Sequence, residues 1–166
     1  MEWLHETRIV FPRLDNKIIL AEYKKMSNKK LGFVKANFEQ ISDFNPEALL
    51  LGKKIIIKNK RIKPKEFNIY INHELQKIKN PALRKEIIQH ILIHELLHIE
   101  SEDLNTLSKQ YGRRKRKKVH IKDFHDKIFE RYNLLREKKG IIKIGKREHL
   151  DIAIQRILES INWFGK

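Results

Sequence analysis

Residues 80–103 read NPALRKEIIQHILIHELLHIESED, and the fold of the chain turns on this stretch. Asn80 followed by Pro81 is a helix start, with Asn as the cap and Pro at the first helical position, where no amide hydrogen is needed. The spacing predicts one helix of about six turns, running from Pro81 to Asp103. Ile87 and Ile91 share the face that carries His94, while Ile88, Leu92, Leu96 and Ile99 form a second apolar stripe. A helix apolar on two sides belongs at the centre of its domain.

Upstream of it the signals are those of strands. Lys17–Tyr23 (KIILAEY), Leu31–Phe38 (LGFVKANF) and Lys53–Asn59 (KKIIIKN) are short β-rich runs bounded by Asn, Gly, Ser or Lys. Glu66–Asn72 (EFNIYIN) alternates, with Phe67, Ile69 and Ile71 on one face and Asn68, Tyr70 and Asn72 on the other. That second face suits a strand exposed on one side, which could align an extended peptide by main-chain pairing. Downstream the signals are helical. His120 to about Lys139 carries Ile121, Phe124, Ile128, Tyr132 and Leu135 at helical spacing and stops at Gly140. A last helix begins near Glu148 and buries Leu150, Ile154, Ile157, Leu158 and Ile161. Strands over 1–75 followed by helices over 80–164 predict a single α+β domain spanning 1–166. A small mixed or antiparallel sheet packs on the central helix, with the further helices C-terminal to it. A polar, basic connection over about 105–119 separates the second and third of these segments.

Composition narrows the class. The 166 residues hold 37 Lys and Arg against 21 Asp and Glu, a formal charge of +16, and no cysteine. Without Cys there is no disulfide framework, zinc ribbon or thiol nucleophile. A hydrophobic fraction of 40% is too high for a disordered chain. No apolar run approaches the roughly 20 residues a membrane-spanning helix needs, and MEWLHETRIVFPRLD lacks a signal-peptide pattern. The expectation is a soluble cytoplasmic protein without a membrane partner. Part of the charge is lysine bias, but its placement is uneven. Lys53–Lys65 holds seven basic side chains and no acid, and Arg113, Arg114, Lys115, Arg116, Lys117 and Lys118 run unbroken. Such a single-sign field attracts DNA or another polyanion.

The chemistry lies in His94-Glu95-Leu96-Leu97-His98, an HExxH. Two histidines four apart on a helix stand one turn above each other, about 40° apart around the axis, so both imidazoles can reach one metal. Glu95 borders the same site and can take a proton from a metal-activated water. The plain alternative is two histidines meeting on one helix face by accident. A catalytic zinc takes three protein ligands, so a third comes from elsewhere. His125 ranks first, since it sits among Ile121, Ile128, Phe129 and Tyr132, where an unpaired imidazole would be costly. His120 is the alternative ligand, next to the basic connection. Glu130 falls on the opposite side of its helix from His125, Glu148 and Asp151 are open as carboxylate ligands, and His90 suits a supporting or core role.

HELLH followed by His125-Asp126-Lys127-Ile128-Phe129 resembles the HExxH…HxxxF pattern of the SprT-like and WLM zinc metallopeptidases. The strand EFNIYIN leading into the HExxH helix resembles their order of elements, and HELLHI is also similar to metallopeptidase-like proteins of phages and archaea. The resemblance covers roughly residues 66–135. It implies a zincin-like fold, one Zn2+ per chain held by His94, His98 and His125, and Glu95 as general base. It further implies hydrolysis of protein or peptide substrates, including proteins attached to nucleic acid. The 26 residues between His98 and His125 exceed the usual gap of those families, and the basic connection stands there as an insertion. The alternative function is a basic nucleic-acid-binding module whose zinc site is structural or vestigial, with Arg113–Lys118 as its contact loop. A histidine ten residues after the first, as in metzincins, is excluded by Leu104.

Overall fold

A computed structural model describes residues 2–27, 30–37, 64, 66–101 and 122–163. The predicted strand Lys53–Asn59, the connection at about 105–119 and Phe164 lie outside the described residues.

The fold is a small mixed α+β arrangement, a three-stranded sheet and four helices. In chain order these are α1 (Glu2–Arg8), β1 (Ile18–Lys24), β2 (Gly32–Asn37), β3 (Glu66–Asn72), α2 (Pro81–Glu100), α3 (Lys122–Lys138) and α4 (Arg147–Ser160). Short 3-10 turns precede β1 at Pro12–Leu14 and follow β3 at His73–Lys77.

α2 is the predicted helix, and its start is built as expected: the Asn80 side chain accepts from the amides of Ala82 and Leu83, with Pro81 at the first position. It ends at Glu100, where the Ser101 amide still reaches the Leu97 carbonyl. Both apolar stripes are buried, together with Ile93, Leu97, Gln89 and Glu95. The neighbours explain why: α1, β2, β3, α3 and α4 all pack on it. Burying each large aliphatic side chain contributes about 1.5–3 kcal/mol, so this helix anchors the core.

The sheet corrects one expectation. Glu66–Asn72 does form a strand with Phe67, Ile69 and Ile71 buried, but β3 is the central strand, in the order β1-β3-β2. It pairs in parallel with β1 (Ile18 opposite Glu66) and antiparallel with β2 (Gly32 opposite Ile71). Its main chain is therefore engaged on both sides and is not available to align a peptide. Nor is Asn72 on an open face. It is buried, its Nδ2 donates to the carbonyls of Ser27 and Lys30, and its Oδ1 accepts from the Glu74 amide.

α3 buries Phe124, Ile128, Tyr132 and Leu135 and stops at Gly140, whose φ of 67° is the left-handed conformation glycine tolerates. α4 starts at Arg147 and buries Leu150, Ile154, Ile157 and Leu158. Trp163 closes the core behind it, with Trp3 packed at its margin. Two polar clamps absent from the sequence reading hold the helices in place. Glu6 of α1 pairs with Lys85 of α2 and Lys139 beyond α3, and these lysines, Lys139 foremost, hold its carboxyl below the usual range. Arg131 of α3 grips both carboxylate oxygens of Glu100 at 3.1 and 3.0 Å, donates to the Val10 carbonyl and lies over the Phe11 ring. Among the described residues no helix is long and apolar enough to cross a membrane.

Candidate metal centre

His94 and His98 converge as the four-residue spacing requires. Their Nε2 atoms are 3.2 Å apart, with the rings at 69° to each other. Two imidazole nitrogens bound at about 2.05 Å to one tetrahedral zinc stand about 3.3 Å apart, so the pair has the separation a shared ion needs. The same distance also fits a direct hydrogen bond between a protonated and an unprotonated ring. The donor chemistry fits zinc in either case. Among the described residues no third His, Asp or Glu joins the pair.

Glu95 leaves α2 toward the sheet. It is only 6% exposed, and that burial pushes its carboxyl up to about 7, against the downward pull of a hydrogen bond from the Val34 backbone of β2. A carboxylate poised near neutrality, one residue from a metal-ligand pair, is what a proton-accepting role at neutral pH requires.

The other flank is aromatic. Phe124 stacks on His98 at 4.5 Å between centroids and meets His94 edge-on at 5.2 Å. It is buried, and it is the α3 side chain that lies on the histidine pair. His125, the next residue, is on the exposed side of α3, with its ring 6.4 Å from that of Phe124. The expectation that His125 sits within the apolar face is thus corrected: Phe124, Ile128, Tyr132 and Leu135 make that face, and His125 is about 100° around from Phe124. The signal was present in the sequence, because Phe124 starts the i, i+4, i+8, i+11 register of that apolar run.

His90, one turn before His94, has its Nδ1 fully enclosed and without a hydrogen-bond partner among the described residues, and its ring faces the edge of Tyr132. Burial, and secondarily the charge of His125, lower its pKa to about 4. His90 is therefore held neutral, and His125 stands close enough to act on it.

The remaining expected residues are apart. His120 and Arg113–Lys118 lie outside the described residues. Glu148 and Asp151 are exposed on α4, Asp151 being 3.8 Å from Arg147. Glu130 lines a cleft of ≈ 500 Å³ near the C-terminal end of α2 with Leu97, Glu100, Lys127 and Arg131; none of His94, Glu95 and His98 lines it. No protein-family model matches the chain, and no curated protein and no solved structure is significantly similar to it.

Proposed function

We propose that the chain is a zinc-dependent metallopeptidase of the SprT-like and WLM type, with a zincin-like fold and a centre at His94, Glu95 and His98. The observation that carries this reading is the pair of Nε2 atoms 3.2 Å apart beside a buried carboxyl raised to about 7. The two histidines would hold the ion, with His125 or His120 completing the set. When bound, zinc would supply Lewis acidity for a substrate carbonyl and lower the pKa of water toward neutrality.

The chain's own residues do the rest. Glu95 takes a proton from the attacking water and can return it to the leaving amine, a role its position near neutral pKa suits. Phe124 walls the histidines on the α3 side and limits the rotation of both rings. An extended peptide would lie along β2, which is at the sheet edge among the described residues and passes directly beside Glu95. This assigns to β2 the alignment role first expected of Glu66–Asn72. Replacing Glu95 by Gln should leave zinc content and fold intact and lower cleavage of an unfolded protein substrate by about 10²-fold or more. Cleavage at the parent rate would remove Glu95 from the mechanism.

A second reading rests on charge: a basic nucleic-acid-binding module with a structural zinc, or a peptidase guided to proteins on DNA. The run Arg113–Lys118 and the seven basic residues of Lys53–Lys65 support it. Binding to DNA should then weaken steeply with salt, and neutralising Arg113–Lys118 should flatten that dependence. An unchanged slope would take this segment out of any nucleic-acid contact.

A further inference from the structure

We infer that β2 is a positioning element for Glu95: the Val34 amide holds the carboxylate, and Gly32 lets the strand approach α2 closely enough for it to do so. This deepens the peptidase reading and rests on it for its catalytic consequence, though not for its geometry.

In an antiparallel pair, successive residues turn their amides alternately toward the partner strand and away from it. Val34 donates to Glu95 and so belongs to the outward row, where an edge strand otherwise leaves its amides unpaired. A buried carboxylate needs donors, and a backbone N–H is a rigid one, because it cannot rotate away as a side chain can. One oxygen fixed in this way fixes the carboxyl plane beside His94.

Gly32 makes the approach possible. A Cβ placed there would lie 2.7 Å from Ile91 Cγ2 and 3.0 Å from the Tyr70 carbonyl oxygen, and 3.7 Å from Glu95 Oε1. Ile91 is buried in the core and the Tyr70 oxygen is main chain, so neither can yield easily. Any side chain at position 32 therefore pushes β2 away from α2 and lengthens the contact between Val34 and Glu95.

The experiment reads amide hydrogen exchange at Val34 by NMR in the whole 166-residue chain. Glu95→Ala should speed Val34 exchange at least tenfold, and Glu95→Gln, which keeps an acceptor oxygen, should fall between it and the parent. The amides of Phe33 and Lys35, which face β3, should not change and serve as the control for folding. Gly32→Ala should also release Val34; in a peptide-cleavage assay it should lower kcat at least tenfold with KM and zinc content unchanged. Should Gly32→Ala fail to fold, the Glu95 series decides the matter alone. A Val34 rate identical in the parent and Glu95→Ala overturns the inference, whatever the activity. If Val34 responds but the parent cleaves no peptide, the positioning stands and the peptidase reading falls.

Discussion

The two flanks of the α2 histidines bury ionisable groups by opposite means. On the sheet side, Glu95 is enclosed but receives a backbone hydrogen bond from β2. On the α3 side, His90 is enclosed against Tyr132 with its Nδ1 lacking a partner among the described residues, and His94 and His98 are covered by Phe124. Burial disfavours charge on both flanks. It therefore raises the acid to about 7 and lowers the base to about 4, leaving a site whose groups are largely neutral when no cation is bound. The sheet side supplies a fixed donor, whereas the helix side supplies rings that constrain orientation and exclude water. A cation introduced between them would meet neutral imidazoles, the form that ligates metal.

The largest break in this comparison comes from removing a proposed ligand. His98→Ala should lower zinc affinity by about 100-fold or more, measured by calorimetric titration, because one of two convergent nitrogens is lost. Zinc binding equal to that of the parent would dismiss the pair as the metal centre. Phe124→Ala tests the aromatic flank. Deleting a buried phenyl that touches both imidazoles should cost about 3 kcal/mol, read as a lower urea midpoint. A cost below about 1 kcal/mol would mean that the ring neither packs nor constrains.

Stability against pH sharpens the contrast further, because the two flanks have opposite signs. His90 has a folded pKa below its ordinary 6.5, so its contribution is full above 6.5 and is lost as pH falls toward about 4. Glu95 has a folded pKa above its ordinary 4.5, so the native state binds the extra proton and stability is lost as pH rises from 4.5 to about 7. Between about 4.5 and 6.5 the two slopes offset each other in metal-free protein. Glu95→Gln should expose a stability that climbs with pH across this window, and His90→Phe one that declines. Parallel curves for the two variants would show that the flanks do not titrate as their burial dictates.

Much of this was readable before any coordinates. The Asn80-Pro81 start, the two apolar stripes of α2, the buried alternation of Phe67, Ile69 and Ile71 and the Gly140 stop are local patterns, and each is where the residues predict it. The role of Glu66–Asn72 was not readable in the same way. Alternation reports which face is buried, but says nothing of which strands occupy the two edges, and β1 and β2 arrive from distant parts of the chain. His125 failed for a different reason. Its neighbour Phe124 carries the apolar register, and a difference of one residue on a helix turns a side chain from core to solvent.

The residues alone therefore determined that His94 and His98 share one helix face and that Glu95 stands beside them, since helical geometry acts within a single turn. The tertiary structure alone decided that β2, through Gly32 and Val34, is what Glu95 faces, and that Phe124 covers the histidines. Those contacts depend on how segments far apart in sequence pack together, which no local periodicity encodes.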